Sequence, residues 1–321
     1  MKSDSRIYVA GAGTFLGHAI VRRLSAAGFV NVIGAADLTD VEPEFGDPRA
    51  VDRFVEQARP EYVFIAAGQT AGSANMRRPA DLMLDNLLIA AHLIPAAFRY
   101  GVKKLLYLST SSVYPRNARQ PLQVSSLWTG SLETTTSAYA VAKLAAMRLC
   151  DAYRRQHDAP FVAAITADVY GPGDDFSPEN SHVLASLIRR IHEAKEANAR
   201  AVDVWGTGRP RREFIYIEDL ADACLFTMLH YEPGDPINLG TGICTSIADL
   251  AVIIRNVVGY RGDLRYDRGR PDGMPLKGLD STPLHGLGWR PRWDLQRGLA
   301  RTYESFLTSP VTPASSRSSY L

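Results

Sequence analysis

Short apolar runs alternate with amphipathic stretches through the first half of the chain. RIYVAGAG, VNVIGAAD, EYVFIAAG, KKLLYLSTS and FVAAITADVYG are rich in Val, Ile, Leu, Phe and Tyr, as strands of a buried sheet are. Between them, residues 16–27, 48–58, 79–100 and 137–157 carry apolar side chains at helical spacing. Alternation of this kind predicts βαβ units and an α/β fold, a doubly wound parallel sheet of the Rossmann type. After YGPGD the rhythm breaks. A helix is expected at about 182–198, short strands at VDVWG and REFIYI, a helix at 220–230, a strand at INLG and a helix at 248–258. Residues 1–173 therefore read as one domain, completed by part of 202–240, and residues 174–308 mainly as a smaller C-terminal lobe. The Ser/Pro-rich end, residues 309–321, reads as a disordered tail.

Composition narrows the classes without choosing one. Lys and Arg exceed Asp and Glu by only two, with no long basic run, so neither nucleic acid nor a membrane surface is implied. Cys150, Cys224 and Cys244 are widely spaced and form no CxxC pair, so they read as reduced thiols, and no histidine stands at metal-ligand spacing. MKSDSRIYVAGAG enters a strand without the apolar core of a signal peptide, and no apolar run is expected to span a bilayer. A soluble cytoplasmic protein is expected.

The first strand runs into GAGTFLG, with Gly11, Gly13 and Gly17 around Thr14, Phe15 and Leu16 at the start of a helix. Glycines there allow a tight turn and close approach of the backbone to a pyrophosphate, which sits at the helix N-terminus. Asp37 lies 20 residues beyond Gly17, at the end of strand two, where a carboxylate accepts hydrogen bonds from the adenosine ribose. Many glycine turns bind nothing, and Asp37 alone also has a plainer reading as a solvated loop acid. In this order, strand, turn, helix and acid point to a dinucleotide, with Ala66 and Ala67 at the end of strand three lining the same groove.

YLSTSSVYPR ends the fourth strand in hydroxyls, and SAYAVAK places Tyr139 and Lys143 four positions apart on one helix face. A phenol with an unperturbed pKa near 10 is a weak proton donor at neutral pH, and a neighbouring ammonium makes it a better one. Lys143 would also hold the nicotinamide ribose, while Thr110 would bond the carbonyl oxygen that Tyr139 protonates. YxxxK occurs by chance in many helices. After a glycine turn and a hydroxyl cluster, the same four-residue spacing points to a dehydrogenase or reductase.

Those stretches, with VYGPGDDFSPENSHVLASLIRRIHEAK, VDVWGTGRPRREFIYIEDLADAC, INLGTG and RPDGMPLKGLD…LGWRPR, resemble the extended short-chain dehydrogenase/reductases, and closely their GDP-L-fucose synthase group, over nearly all of residues 6–308. The resemblance implies an NADP(H)-dependent enzyme, homodimeric, acting on a GDP-linked 4-keto-6-deoxy sugar held by the C-terminal lobe. It makes Thr110, Tyr139 and Lys143 the reductase triad. It also makes His182 the acid of a 3,5-epimerisation, set beside the cofactor. Asn180, Trp205, Arg212 and Lys277 fall in its sugar-nucleotide motifs. His182 also has a plainer reading as a solvated residue at a helix start.

The departures are specific. Where that group has the cysteine that serves as base, this chain has Ser112, and Thr110 replaces the first serine of the motif. A serine hydroxyl is a far poorer base than a thiol. The expectation is therefore reduction at C4 with little or no epimerisation. PTNLYGP reads TADVYGP here, with Thr166, Ala167 and Asp168 changed, which fits a sugar other than the usual hexose, such as a 6-deoxy-heptose. Gly13 stands in place of an arginine, and no basic residue follows strand two, so Asp37 favours NAD(H) where the resemblance implies NADP(H). A full epimerase-reductase, an NAD-retaining 4-epimerase, a 4,6-dehydratase and a non-enzymatic dinucleotide-binding regulator are the rival readings. Apolar Leu144, Met147 and Leu149, on the helix of Tyr139, are expected to pair with helix 79–100 across a dimer axis.

Overall fold

A computed structural model describes residues 1–34, 42–68, 77–178, 180–270 and 272–308. Asp37 and the tail 309–321 lie outside the described residues. The central sheet has six parallel strands. In chain order they are β1 (Ile7–Ala10), β2 (Val32–Ile33), β3 (Tyr62–Ile65), β4 (Lys104–Thr110), β5 (Phe161–Thr166) and, much later, β9 (Ile237–Leu239), ordered β2-β1-β3-β4-β5-β9 across the sheet. The connecting helices are α1 (Phe15–Ala26), α2 (Pro48–Ala58), α3 (Pro79–Arg99) and α4 (Ser137–His157). The expected α/β, doubly wound architecture is present.

Burial accounts for the strands. Six of the seven β4 residues and all six of β5 are apolar, hydroxyl-bearing or both, and nearly all are buried. Both faces of these strands are covered, as parallel sheets require. Helices α2, α3 and α4 pack in succession, and α1 packs on α6 (Ile217–His230). At the N-terminal end of β4, the Lys104 ammonium donates to the carbonyls of Thr227, Met228 and Tyr231 at 3.2, 2.7 and 2.5 Å, closing the open end of α6.

FVAAITADVYG is not one strand. β5 stops at Thr166, and β6 (Asp168–Tyr170) leaves the central sheet to pair with β8 (Arg211–Tyr216). β8 also pairs with β10 (Cys244–Ser246) and β12 (Leu276–Lys277), while β7 (Ala201–Trp205) pairs with β11 (Asp263–Asp267). The competing partner is physical: β8 presents a second sheet edge that takes the chain after Ala167. Helices α5 (Val183–Glu196), α7 (Ile247–Val258), α8 (Thr282–Gly286) and α9 (Leu295–Thr308) complete the chain, the last two unexpected from periodicity.

Two further expectations need correction. Leu144 and Met147 do not form a surplus surface, because both are buried inside the subunit. The large apolar side chains exposed on the two long helices are Leu84, Phe98 and Val141. The 21-residue α3 is also long and apolar enough, by length and composition, to cross a membrane. Here it packs against α4, burying Leu82, Ile89, Leu93 and Ile94.

Glu213, in β8, is buried and joins three segments. Its carboxylate accepts from Gly242 N at 2.8 Å, Leu279 N at 2.6 Å and Thr241 Oγ1 at 3.4 Å. Glu213→Ala leaves the buried Leu279 amide without its acceptor, at about 1–3 kcal/mol, and frees the more open Gly242 amide as well. The thermal midpoint should fall by about 5–10 °C, read by calorimetry.

Candidate active site

β1 delivers the chain into a turn that only glycine permits. Gly11 has φ +82° and sits under Ala67, so a Cβ there would come 2.5 Å from Ala67 N. A Cβ on Gly17 would lie 1.8 Å from the Gly11 carbonyl oxygen, because α1 starts pressed against the turn. Thr14 is the N-cap of α1: its hydroxyl accepts from Gly17 N at 3.1 Å and donates to Gly11 O at 2.7 Å. The space over Gly13 is open to 4 Å. Phe15 and Leu16 form the first turn of the helix, and Ala66 and Ala67, just after β3, pack against Gly11. These residues fit a dinucleotide pyrophosphate. Glu42, which the sequence reading missed, accepts hydrogen bonds from Gly11 N and Ala12 N. Burial raises its pKa against the lowering effect of those amides.

The reactive hydroxyls follow from β4. Pairing in register places Thr110 opposite Thr166, and Thr166 Oγ1 donates to Ser109 O at 3.1 Å. The chain then tightens into a short 3-10 turn, Ser111–Val113, with the Thr110 hydroxyl accepting from Ser112 N at 3.3 Å. α4 packs on this turn and brings Tyr139 and Lys143 with it. Lys143 Nζ donates to Leu108 O at 3.3 Å and stands 5.2 Å from the Tyr107 ring centroid and 5.8 Å from that of Tyr139. Gly68 makes room beside it, since a Cβ there would meet Lys143 Nζ at 3.1 Å. Lys143 therefore faces the same groove end as Ala66 and Ala67, where a nicotinamide ribose would lie.

The expected lowering of the Tyr139 pKa is not present in this arrangement. Burial raises the phenol, and burial lowers Lys143 to about 8. Desolvation disfavours both charged forms, and an ammonium nearly 6 Å from the ring does not offset it.

β8 organises the other half of the site. Lys277 is opposite Arg212 and Asp168 is opposite Phe214, so both lie along one strand. Ser112, Glu133, Thr136, Arg212, Met274 and Lys277 line a cleft of about 380 Å³. Arg212 donates to Met274 O at 2.6 Å, and burial lowers its pKa. Lys277 Nζ pairs with Asp168 Oδ1 at 2.9 Å, and Ser111 Oγ approaches the same oxygen at 3.4 Å. His182 is the N-cap residue of α5 and makes no capping bond; its charge is felt at Asp168. Asn180 lies in the loop just before it, with its backbone N–H donating to Ser177 Oγ at 3.3 Å.

Trp205 is exposed, and the guanidinium groups of Arg190 and Arg270 stack over it at 5.2 and 4.9 Å. It makes no contact with the hydroxyl cluster among the described residues. Nor do three His, Cys, Asp or Glu side chains converge on a metal position among them.

Residues 7–240 match the NAD dependent epimerase/dehydratase family. The chain is 44% identical over 305 residues to GDP-L-fucose synthase 1 of Arabidopsis thaliana, covering 95% of this chain and 94% of that protein. It superposes on a GDP-6-OMe-4-keto-L-xylo-heptose reductase from C. jejuni with TM-score 0.89 and 32% identity, over 96% of this chain and 99% of that one. A GDP-mannoheptose C4 reductase from Campylobacter jejuni with NADP bound gives TM-score 0.86 and 32% identity, over 96% and 100%.

Gly17→Ala tests the turn. The obstructing atom is backbone and cannot swing aside, so loss of reduced-cofactor binding by fluorescence titration is expected, with a destabilisation of about 1–3 kcal/mol.

Proposed function

This chain belongs to the NAD dependent epimerase/dehydratase family, and we propose that it reduces C4 of a GDP-linked 4-keto-6-deoxy sugar, a hexose or a 6-deoxy-heptose. The observation that carries this reading is the shared floor of two grooves. The Tyr139–Lys143 helix packs on the hydroxyl turn, and that turn also lines the Arg212–Lys277 cleft.

A reduced nicotinamide, when bound, supplies the hydride. The chain's own residues do the rest. Tyr139 protonates the C4 oxygen as negative charge develops there, and Thr110 donates a hydrogen bond to the same oxygen. Lys143, about 8 in pKa and so mainly an ammonium at neutral pH, holds the ribose and returns the tyrosine to a good donor state. Arg212 meets the diphosphate in a partly desolvated position, which strengthens the attraction.

NADP(H) is the expected cofactor, by similarity to relatives that bind it, with NAD(H) the alternative that Asp37 favours. The heptose-reductase likeness supports a reductase without epimerisation, since the Ser112 hydroxyl is no base for a carbon-bound proton. The rival full epimerase-reductase gains its support from the fucose-synthase relatives.

Tyr139→Phe should lose about 10²–10⁴-fold in turnover of NADPH absorbance with GDP-4-keto-6-deoxymannose, with cofactor binding retained. Turnover within a few-fold of the parent enzyme would rule out Tyr139 as the proton donor.

The assembly we propose is a cytoplasmic homodimer. Its support is the exposed Leu84, Phe98 and Val141 on the two long helices, an apolar set that a second copy would cover. Sedimentation at micromolar concentration should give about twice the 35.2 kDa monomer mass. A monomer mass under those conditions would count against pairing.

A further inference from the structure

Among the described residues, no anion holds the charge of Lys143. The residue is 5% exposed, and burial lowers its pKa to about 8 with no carboxylate opposing the fall. Its Nζ donates to the Leu108 carbonyl at 3.3 Å. Gly68 lies against both Nζ and the neutral Asn86 amide, since a Cβ there would meet Nζ at 3.1 Å and Asn86 Oδ1 at 2.6 Å. Two aromatic rings flank the ammonium.

Tyr107 supplies the nearer ring, with its centroid 5.2 Å from Nζ against 5.8 Å for Tyr139. It belongs to the middle of β4, paired with Ile65 of β3 on one side and Ala163 of β5 on the other. Side chains alternate between the two faces of a strand. Lys104 reaches α6, so Tyr107, three positions on, points to the opposite face, where α4 packs. The residue is 1% exposed, and its hydroxyl is buried without a hydrogen-bond partner among the described residues. The contact that Tyr107 offers Lys143 is therefore its ring and not its hydroxyl. An ammonium within about 6 Å of an aromatic centroid is attracted by the negative face of the ring, most strongly where water is excluded.

We propose that Tyr107 is a positioning residue for the reduction: its ring face fixes the Lys143 ammonium beside the groove and keeps it charged where no carboxylate does so. The inference rests on Lys143 acting as a cation in the proposed reduction, and Tyr107 reaches the chemistry only through Lys143. The sign follows from the charge. Removing the ring takes a partner from the charged form alone, so the Lys143 pKa falls further. An enzyme that needs the ammonium then loses activity at a lower pH on the basic side.

No other ionisable group facing Lys143 among the described residues supplies a counter-charge. Tyr139, on the same helix, is pushed up by burial and keeps a neutral phenol. Cys150, further along α4, is pushed up by burial as well. Asp85 is the buried acid of α3; burial raises its carboxyl, and the charges felt there are those of Asp81 and Arg78. β5 and the short turns Ser111–Val113 and Thr134–Thr136 carry no ionisable side chain.

The test titrates Lys143 in the whole protein by carbon-13 NMR of lysine labelled at Cε, assigned with Lys143→Arg. In parallel, the pH profile of kcat/KM is measured with NADPH and GDP-4-keto-6-deoxymannose. Tyr107→Leu should lower the Lys143 midpoint, and with it the basic limb of the profile, by about one pH unit, the size of a desolvated cation–π contact. Tyr107→Phe keeps the ring and should hold both at the wild-type position. Pentafluorophenylalanine at position 107 keeps the ring shape and reverses its quadrupole, so it should lower the midpoint at least as far even where Tyr107→Leu does not fold. Equal midpoints in the wild-type protein and these two ring-altered proteins would overturn the proposal, whatever their thermal stability. A Tyr107→Phe midpoint as low as that of Tyr107→Leu would also overturn it, by assigning the effect to the hydroxyl. The NMR titration needs no substrate, so a wild-type protein without turnover would overturn the proposed function while the midpoints still decide the part played by the ring.

Discussion

The parallel pairing of β4 with β5 is the constraint on which the site hangs. β4 is hydrogen-bonded along both edges and covered on both faces, so it has no freedom to slide or tilt. A slip of one residue would exchange the side chains packed on its two covered faces, which close packing on both sides opposes. Register then decides chemistry: Thr110 lies opposite Thr166, and the strand ends with its hydroxyls at the carboxyl edge. Lys104 anchors the far end of the same strand by bonding three carbonyls of α6 and its exit. The hydroxyls of Thr110 and the turn after it are thus placed by a strand that is paired on both edges and covered on both faces. Ligand sites of open α/β sheets lie at this edge, outside the carboxyl ends of the strands.

The second organising strand is β8, which works by alternation. Successive side chains of a strand point to opposite faces. Arg212 lines the cleft, and its neighbour Glu213 is buried on loops that would otherwise be free. One residue therefore faces the cleft while the next holds the surroundings of the cleft in place. Because β6 and β12 both pair with β8, Asp168 and Lys277 become neighbours although 109 residues separate them. That meeting is a property of the second sheet, and the first sheet alone would not produce it.

Much of this was legible in the sequence, and the reasons for the remainder are particular. The glycine turn, the YxxxK spacing and the strand-four hydroxyls are local patterns, and local geometry realises them directly. Runs of apolar residues showed the five early strands, since parallel strands are buried on both faces. The same criterion hid the break at Ala167, because a strand that changes sheets keeps its apolar character throughout. Asp168 was read only as a changed residue beside the site; its partner Lys277 could not be assigned without the pairing of β6 and β12 to a common strand. Leu144 and Met147 look alike as core or interface residues, and only packing separates the two. Glu42 has no sequence signal as a partner of the Gly11 and Ala12 amides, a contact made across 30 residues.

Catalytic placement also conflicts with stability inside the site. Lys143 is buried, and its pKa falls from 10.5 to about 8. At 1.36 kcal/mol per unit, this corresponds to about 3 kcal/mol against the ammonium in the fold. That is a large share of the roughly 5–15 kcal/mol by which such domains are stable. The tyrosine rings on either side and the Leu108 carbonyl recover only part of it. A buried hydrophobic residue would satisfy the same space without that loss. Burial of a lysine at this position thus fits the proposed role at the groove better than a contribution to folding. The buried Tyr139 phenol points the same way: desolvation keeps it protonated, which is the state a proton donor needs before the reaction. The two shifts are complementary, because burial keeps the donor's proton in place while leaving the neighbouring cation only weakly solvated by protein. In the proposed function, a ribose hydroxyl and a developing charge at the ketone oxygen would be partners for that ammonium, so part of the cost of burying Lys143 would be offset on ordering the reactants.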